Sequence, residues 1–145
     1  MKNFHSHSAA ETREIARSFS RSLTPGTVVA LKGTLGSGKT QFVIGACEGL
    51  GVTARVSSPT FTFINEYGAP FGVVAHIDLY RIEDSEAIDQ IGVEEYFSPR
   101  FITFIEWPEI IFSKLPDDHL LIEFQHGRKD HDREIVVKEV HRVTA

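Results

Sequence analysis

The chain has 145 residues, 41% hydrophobic and 24% charged, which suits one soluble globular domain, residues 1–145, rather than a disordered or multidomain chain. Its formal net charge of −5 argues against unaided binding to a phosphate backbone, which needs clustered Lys and Arg. The single cysteine, Cys47, excludes an intramolecular disulfide; Met1–Ser8 has no apolar leader-like run, and no stretch approaches the roughly 20 apolar residues of a membrane span, so a cytoplasmic protein with no membrane contact is expected.

Ser8-Ala9-Ala10-Glu11 reads as a capping box. Ile15, Phe19 and Leu23 follow at helical spacing, and Thr24-Pro25-Gly26 ends that helix. Thr27 to Lys32 is a short β-branched and apolar run, the signature of a buried strand. Glycines stand at 33, 36 and 38, and a second helix starts near Lys39. It carries Phe42, Val43, Ala46 and Leu50 on one face and stops at Gly51.

Ser57 to Tyr67 reads as loop and then strand through Phe61, Phe63 and Ile64, and Gly68-Ala69-Pro70 as a turn. Gly72 to Ile77 and Phe101 to Ile105 are further buried strands, separated by a short helix over Glu83 to Ile91 that Gly92 caps. Leu120 to Phe124 and Glu134 to Val140 read as two more strands. Strands alternating with helices imply an α/β fold with a mainly parallel central sheet, and the Phe61–Ile77 region and the tail suggest antiparallel additions.

Gly33-Thr34-Leu35-Gly36-Ser37-Gly38-Lys39-Thr40 fits the pattern Gly, four residues, Gly-Lys-Ser/Thr. Ordinary composition gives about 0.005 chance matches in a chain of this length, and here a strand enters and a helix leaves as the pattern requires. Glycines permit positive φ, so successive N–H groups can face one concavity. The helix start adds its dipole and its free N–H groups. The spacing therefore places Gly33, Leu35, Gly36, Ser37, Gly38, Lys39, Thr40 and Gln41 around a nucleoside triphosphate. Lys39 meets the β- and γ-phosphates, and the Thr40 hydroxyl is a hard ligand suited to Mg²⁺.

Ligand chemistry in such sheets sits at the carboxyl ends of parallel strands. His76-Ile77-Asp78 and Phe104-Ile105-Glu106 each end a strand in an acid, so Asp78 and Glu106 are candidates to hold Mg²⁺ or to orient the attacking water. Thr60, in Ser57-Ser58-Pro59-Thr60-Phe61, is the candidate sensor of the γ-phosphate. No Asn-Lys-x-Asp guanine-reading motif is present, which favours ATP over GTP. His5 with His7, and His126 with His131, make no complete zinc set with Cys47. Asp89-Gln90-Ile91-Gly92 mimics a GTPase motif but falls in a helix rather than at a strand end.

Taken in order, Gly33 to Thr40, Ser58-Pro59-Thr60-Phe61, His76-Ile77-Asp78-Leu79-Tyr80-Arg81 and Glu106-Trp107-Pro108 resemble the bacterial TsaE (YjeE) family over nearly the whole chain. The resemblance implies a three-layer, P-loop NTPase-like fold and a Mg²⁺-dependent ATPase. Its turnover, slow when it is a monomer alone, supports a complex of sugar-kinase-like subunits that forms threonylcarbamoyl adenosine on tRNA; tRNA is met only through those subunits. It implies Thr40 and Glu106 as Mg²⁺ ligands, and Asp78 and Trp107 as supports of hydrolysis or its coupling. Gly127-Arg128 stands where the family has a Gly-Arg pair near the base, and a guanidinium can stack on adenine. The family commonly has Asp where this chain has Thr34, which leaves the backbone cradle intact but removes that acid. Two other functions would use the same loop. A small-molecule kinase needs acceptor and lid arginines, for which the stretch after Glu106 offers few candidates; a regulatory module needs binding alone.

Overall fold

The run Val28-Val29-Ala30-Leu31 is buried at every position, because alternate side chains enter two different apolar layers. Val29 and Leu31 face one layer with Phe42, Phe104 and Ile122. Val28 and Ala30 face the other with Ile77, Ile105, Ile88 and Ile111. The computed structural model describes residues 1–59 and 63–142. Its elements in chain order are β1 (Lys2–Ser6), α1 (Ala9–Ser20), β2 (Val28–Gly33), α2 (Lys39–Gly49), β3 (Ile64–Ala69) and β4 (Gly72–Asp78). There follow α3 (Ser85–Ile91), a 3₁₀ segment Val93–Phe97, β5 (Phe101–Glu106), a kinked 3₁₀ segment Pro108–Lys114, β6 (Asp118–His126) and β7 (Arg133–His141).

The seven strands form one sheet in the order β1-β7-β6-β2-β5-β4-β3. The four central strands β6, β2, β5 and β4 are mutually parallel. β3 is antiparallel to β4, β7 to β6, and β1 to β7. With α1 and α2 over one face and α3 with the 3₁₀ segments over the other, this is the expected three-layer α/β arrangement with antiparallel additions.

The α1 start is as the sequence suggests: the Ser8 hydroxyl accepts from the Glu11 amide at 3.0 Å. Three details differ. β1 is unanticipated; it pairs along β7 from Lys2↔Val137 to Ser6↔Arg133, and only Phe4 packs on the core from a run too short and polar to show a period of two. β3 runs on through Ala69, so its turn lies at Pro70-Phe71, beyond the Gly-Ala-Pro cluster. α3 begins at Ser85, after Asp84 caps it by accepting from the Ala87 amide at 2.9 Å.

α1 and α2 meet backbone to backbone. A Cβ on Gly45 would lie 2.1 Å from the Arg13 carbonyl oxygen, and one on Gly49 would lie 2.1 Å from the Ser20 hydroxyl and 2.3 Å from the Arg17 carbonyl. Gly45→Ala is therefore expected to destabilise the protein despite alanine's helix preference of about 1 kcal/mol. Overpacking against an unyielding backbone costs about 1–3 kcal/mol or more, and a lower urea midpoint would register it.

Candidate functional site

β2 delivers the chain to Gly33, and the next turn reverses it into α2. Gly36 and Gly38 take left-handed φ of +76° and +106°, a conformation that other residues adopt only under strain. Gly38 is the N-cap of α2 and supplies no side-chain cap, so the first amides of the helix are left for another acceptor. Ser37 is buried, and its hydroxyl oxygen has no hydrogen-bond partner among the described residues. Leu35 lies at the rim, 68% exposed.

Lys39, at the first position of α2, is 4% exposed. Its ammonium donates to the Gly33 carbonyl and, at 3.3 Å, to the Thr34 carbonyl. It also sits 3.5 Å from the centroid of the Trp107 ring, a cation–π contact. Burial pulls its pKa below the usual lysine value, opposed by the negative field of Glu106, Glu109 and Asp78. The next residue, Thr40, holds its hydroxyl 3.0 and 3.1 Å from the two carboxylate oxygens of Glu106. That hydrogen is directed at Glu106, so Ser58, 3.2 Å away, donates to the Thr40 oxygen.

The two predicted acids come together because β4 and β5 run parallel with Asp78 and Glu106 in register, and both strands end there. Glu106 is 3% exposed and is met by His76 from β4, Nε2 to Oε2 at 2.5 Å. Asp78 accepts from the Tyr80 amide at 3.0 Å. Burial raises its carboxyl pKa, with Glu106 adding to the rise, while the Tyr80 hydrogen bond, His76 and Lys39 oppose it.

A raised folded pKa means that Asp78 favours folding below its ordinary value of 3.8 and loses that advantage as pH climbs through the raised value. Asp78→Asn, which keeps an acceptor for Tyr80, is accordingly expected to raise the metal-free melting temperature at neutral pH. At about pH 3, where the acid is protonated folded or unfolded, it should match the parent in thermal melts.

Trp107 follows Glu106 with φ +59° and ψ +56°, a left-handed conformation rare for a bulky side chain. The strained turn lays its indole over Lys39, with the 51%-exposed Tyr80 ring tilted against it at 4.9 Å between centroids. Together Leu35 to Gln41, Ser58, Asp78, Tyr80, Glu106 and Trp107 line one cleft of about 360 Å³.

The predicted set is thus mostly assembled, with qualifications. Gln41 lines the cleft, but its side-chain oxygen accepts from Arg13 of α1 at 2.6 Å. Arg128 is exposed on the loop between β6 and β7 and does not line the cleft. That loop is held to the phosphate loop by other residues: His126 Nε2 meets the Thr34 hydroxyl at 3.2 Å, and Arg133 donates to the Gly36 carbonyl at 3.2 Å. Thr60 lies outside the described residues. Sequence reasoning passed over Ser58, His76, Tyr80, His126 and Arg133 as site residues. Ser58, His76 and Tyr80 stand in the motifs that carry the family resemblance, and His76 is also a polar residue inside an apolar strand two positions before Asp78.

The donor set suits a magnesium polyphosphate. Uncapped helix amides and a buried ammonium match phosphate oxygens, and Thr40, Glu106 and Asp78 offer hard oxygen ligands. Residues 6–135 match the family model described as Threonylcarbamoyl adenosine biosynthesis protein TsaE.

The chain belongs to the TsaE family.

Relatives fall in line with that membership. The Bacillus subtilis protein named tRNA threonylcarbamoyladenosine biosynthesis protein TsaE is 41% identical over 86% of this chain and 77% of its own. The protein of the same name from Rickettsia bellii is 37% identical over 89% and 88%, and that from Treponema pallidum 36% over 91% and 96%. The crystal structure of Bacillus subtilis YdiB superposes with a TM-score of 0.81 at 34% identity, covering 96% of this chain and 85% of that one. No helix among the described residues is long and apolar enough to cross a membrane.

Proposed function

We propose that this chain is a Mg²⁺-dependent ATPase whose turnover supports the protein complex that forms threonylcarbamoyl adenosine on tRNA. One observation carries the ATPase reading: a glycine-turned, uncapped helix start, a buried lysine and a hydroxyl–carboxylate pair line the same cleft. The relatives' names, which place them in tRNA threonylcarbamoyladenosine biosynthesis, carry the cellular setting.

In this reading the loop amides and Lys39 bind the phosphates, and Lys39 exchanges its carbonyl partners for phosphate oxygens. Thr40, Glu106 and Asp78 hold Mg²⁺, which would neutralise charge developing between the β- and γ-phosphates. Asp78, the less buried of the two acids, also orients the attacking water, and Trp107 and Tyr80 cover the site against bulk solvent. Arg128 stacks on adenine from the loop beside the cradle, and Thr60 answers to the γ-phosphate. An acidic chain of this kind meets tRNA only through its partner subunits, which have a sugar-kinase-like fold.

Phosphate release measured with and without those purified subunits tests the reading. Turnover should be slow for the chain alone and rise well above that in the mixture, and threonylcarbamoyl adenosine should fall in tRNA from cells depleted of the protein. Unchanged turnover on mixing would defeat it.

A further inference from the structure

We propose that His76 is a positioning residue, holding the Glu106 carboxylate in the one orientation that presents its remaining lone pairs to a divalent cation. The inference rests on the reading of the cleft as a Mg²⁺–nucleotide site. It adds a member that lies wholly outside that cleft.

The His76 ring is 0% exposed, so it cannot itself reach a ligand in the cleft. It stands on β4 opposite Phe104 of β5, two residues before the Asp78–Glu106 pair, and reaches along the strands to the acid. Its Nε2 lies 2.5 Å from Glu106 Oε2, and since a carboxylate only accepts, Nε2 carries the hydrogen. Its other nitrogen, Nδ1, is buried with no partner among the described residues. A buried polar atom left unpaired costs free energy that an apolar side chain of similar size would avoid. Stability alone therefore gives no reason for an imidazole here, whereas the single bond to Glu106 does.

That bond fixes the carboxylate from behind. Thr40 approaches from the cleft side, its hydroxyl shared between both oxygens at 3.0 and 3.1 Å. Without a donor at Nε2, buried Oε2 would keep only its share of the Thr40 hydroxyl, and the carboxylate would lose the bond that holds it from the side away from the cleft. Donors placed behind a metal-binding group typically change metal affinity ten- to hundredfold.

Two variants separate positioning from packing. His76→Gln places an amide donor near the position of Nε2; His76→Asn, also polar, places it near Nδ1, short of Glu106. The readout is the ratio of affinities for a non-hydrolysable ATP analogue with Mg²⁺ and with EDTA, measured by calorimetry, with melting temperatures recorded for each variant. His76→Gln should keep the parent's gain from Mg²⁺. His76→Asn should lose ten- to hundredfold of that gain while its affinity in EDTA stays within twofold of the parent. An unaltered Mg²⁺ gain in His76→Asn, or equal losses in both variants, would overturn the positioning role. A parent protein that takes up no analogue in either buffer would instead overturn the nucleotide reading beneath it.

Discussion

Replacing Lys39 by methionine is expected to weaken ATP and ADP binding by roughly a hundredfold and to raise the melting temperature of the nucleotide-free protein. The two effects share one cause. The ammonium is almost fully buried, and its hydrogen-bond acceptors among the described residues are two loop carbonyls, so burial makes the charged form costly and pulls its pKa down. A base whose pKa falls on folding binds its proton less readily in the folded state, so at neutral pH the charge opposes folding. Methionine has similar length and carries no charge, so the cost disappears along with the phosphate contact. A charge-assisted hydrogen bond of about 1.5–3 kcal/mol, lost in a partly dry site, corresponds to roughly ten- to a hundredfold or more in affinity. Calorimetry and a melting curve on the same sample read both. Undiminished nucleotide uptake would remove the basis for placing Lys39 against phosphate.

The second large effect is expected from Glu106→Gln. Gln is nearly isosteric and can still accept from Thr40 and His76, so the fold and the loop amides should be preserved. What it removes is the negative charge beside the Thr40 hydroxyl. Nucleotide binding in EDTA should persist, while the advantage conferred by Mg²⁺ and the turnover with partner subunits should both collapse. The expected loss is on the order of a hundredfold or more, the scale of several kcal/mol of charge stabilisation by a metal ion. Asp78 takes a lesser part in this reading, because it is only half buried and its side chain's hydrogen bond among the described residues goes to its own turn. Full Mg²⁺-stimulated turnover in Glu106→Gln would transfer the metal role away from Glu106.

The parts of the site legible in the sequence were those in which a local rule and a long-range rule coincide. The Gly33–Thr40 spacing states its own geometry, and the glycines at 36 and 38 do take the positive φ that spacing demands. Asp78 and Glu106 were readable because each ends an apolar run, and parallel strands end together. The illegible parts depend on pairing between distant segments. β1 is recognisable only once β7 offers it an edge. Arg133 and His126 reach the phosphate loop only because β6 runs parallel to β2 and leaves its connection to β7 at the same end. His76 shows in the sequence as a polar residue in an apolar strand, but its partner is set only by the register of β4 beside β5. Arg128 rests on the resemblance to the family's Gly-Arg pair, whereas the loop's hold on the phosphate loop comes from the residues at its two ends.

Trp107 is the only tryptophan in the chain, and its indole rests on the ammonium of Lys39. The tryptophan emission of the protein therefore arises from one ring in contact with one cation. Whatever draws that cation away, or shifts the Tyr80 ring packed beside it, alters the spectrum without any added dye. Filling and emptying of the cleft can thus be followed in real time in unlabelled protein, one fluorophore reporting on one lysine.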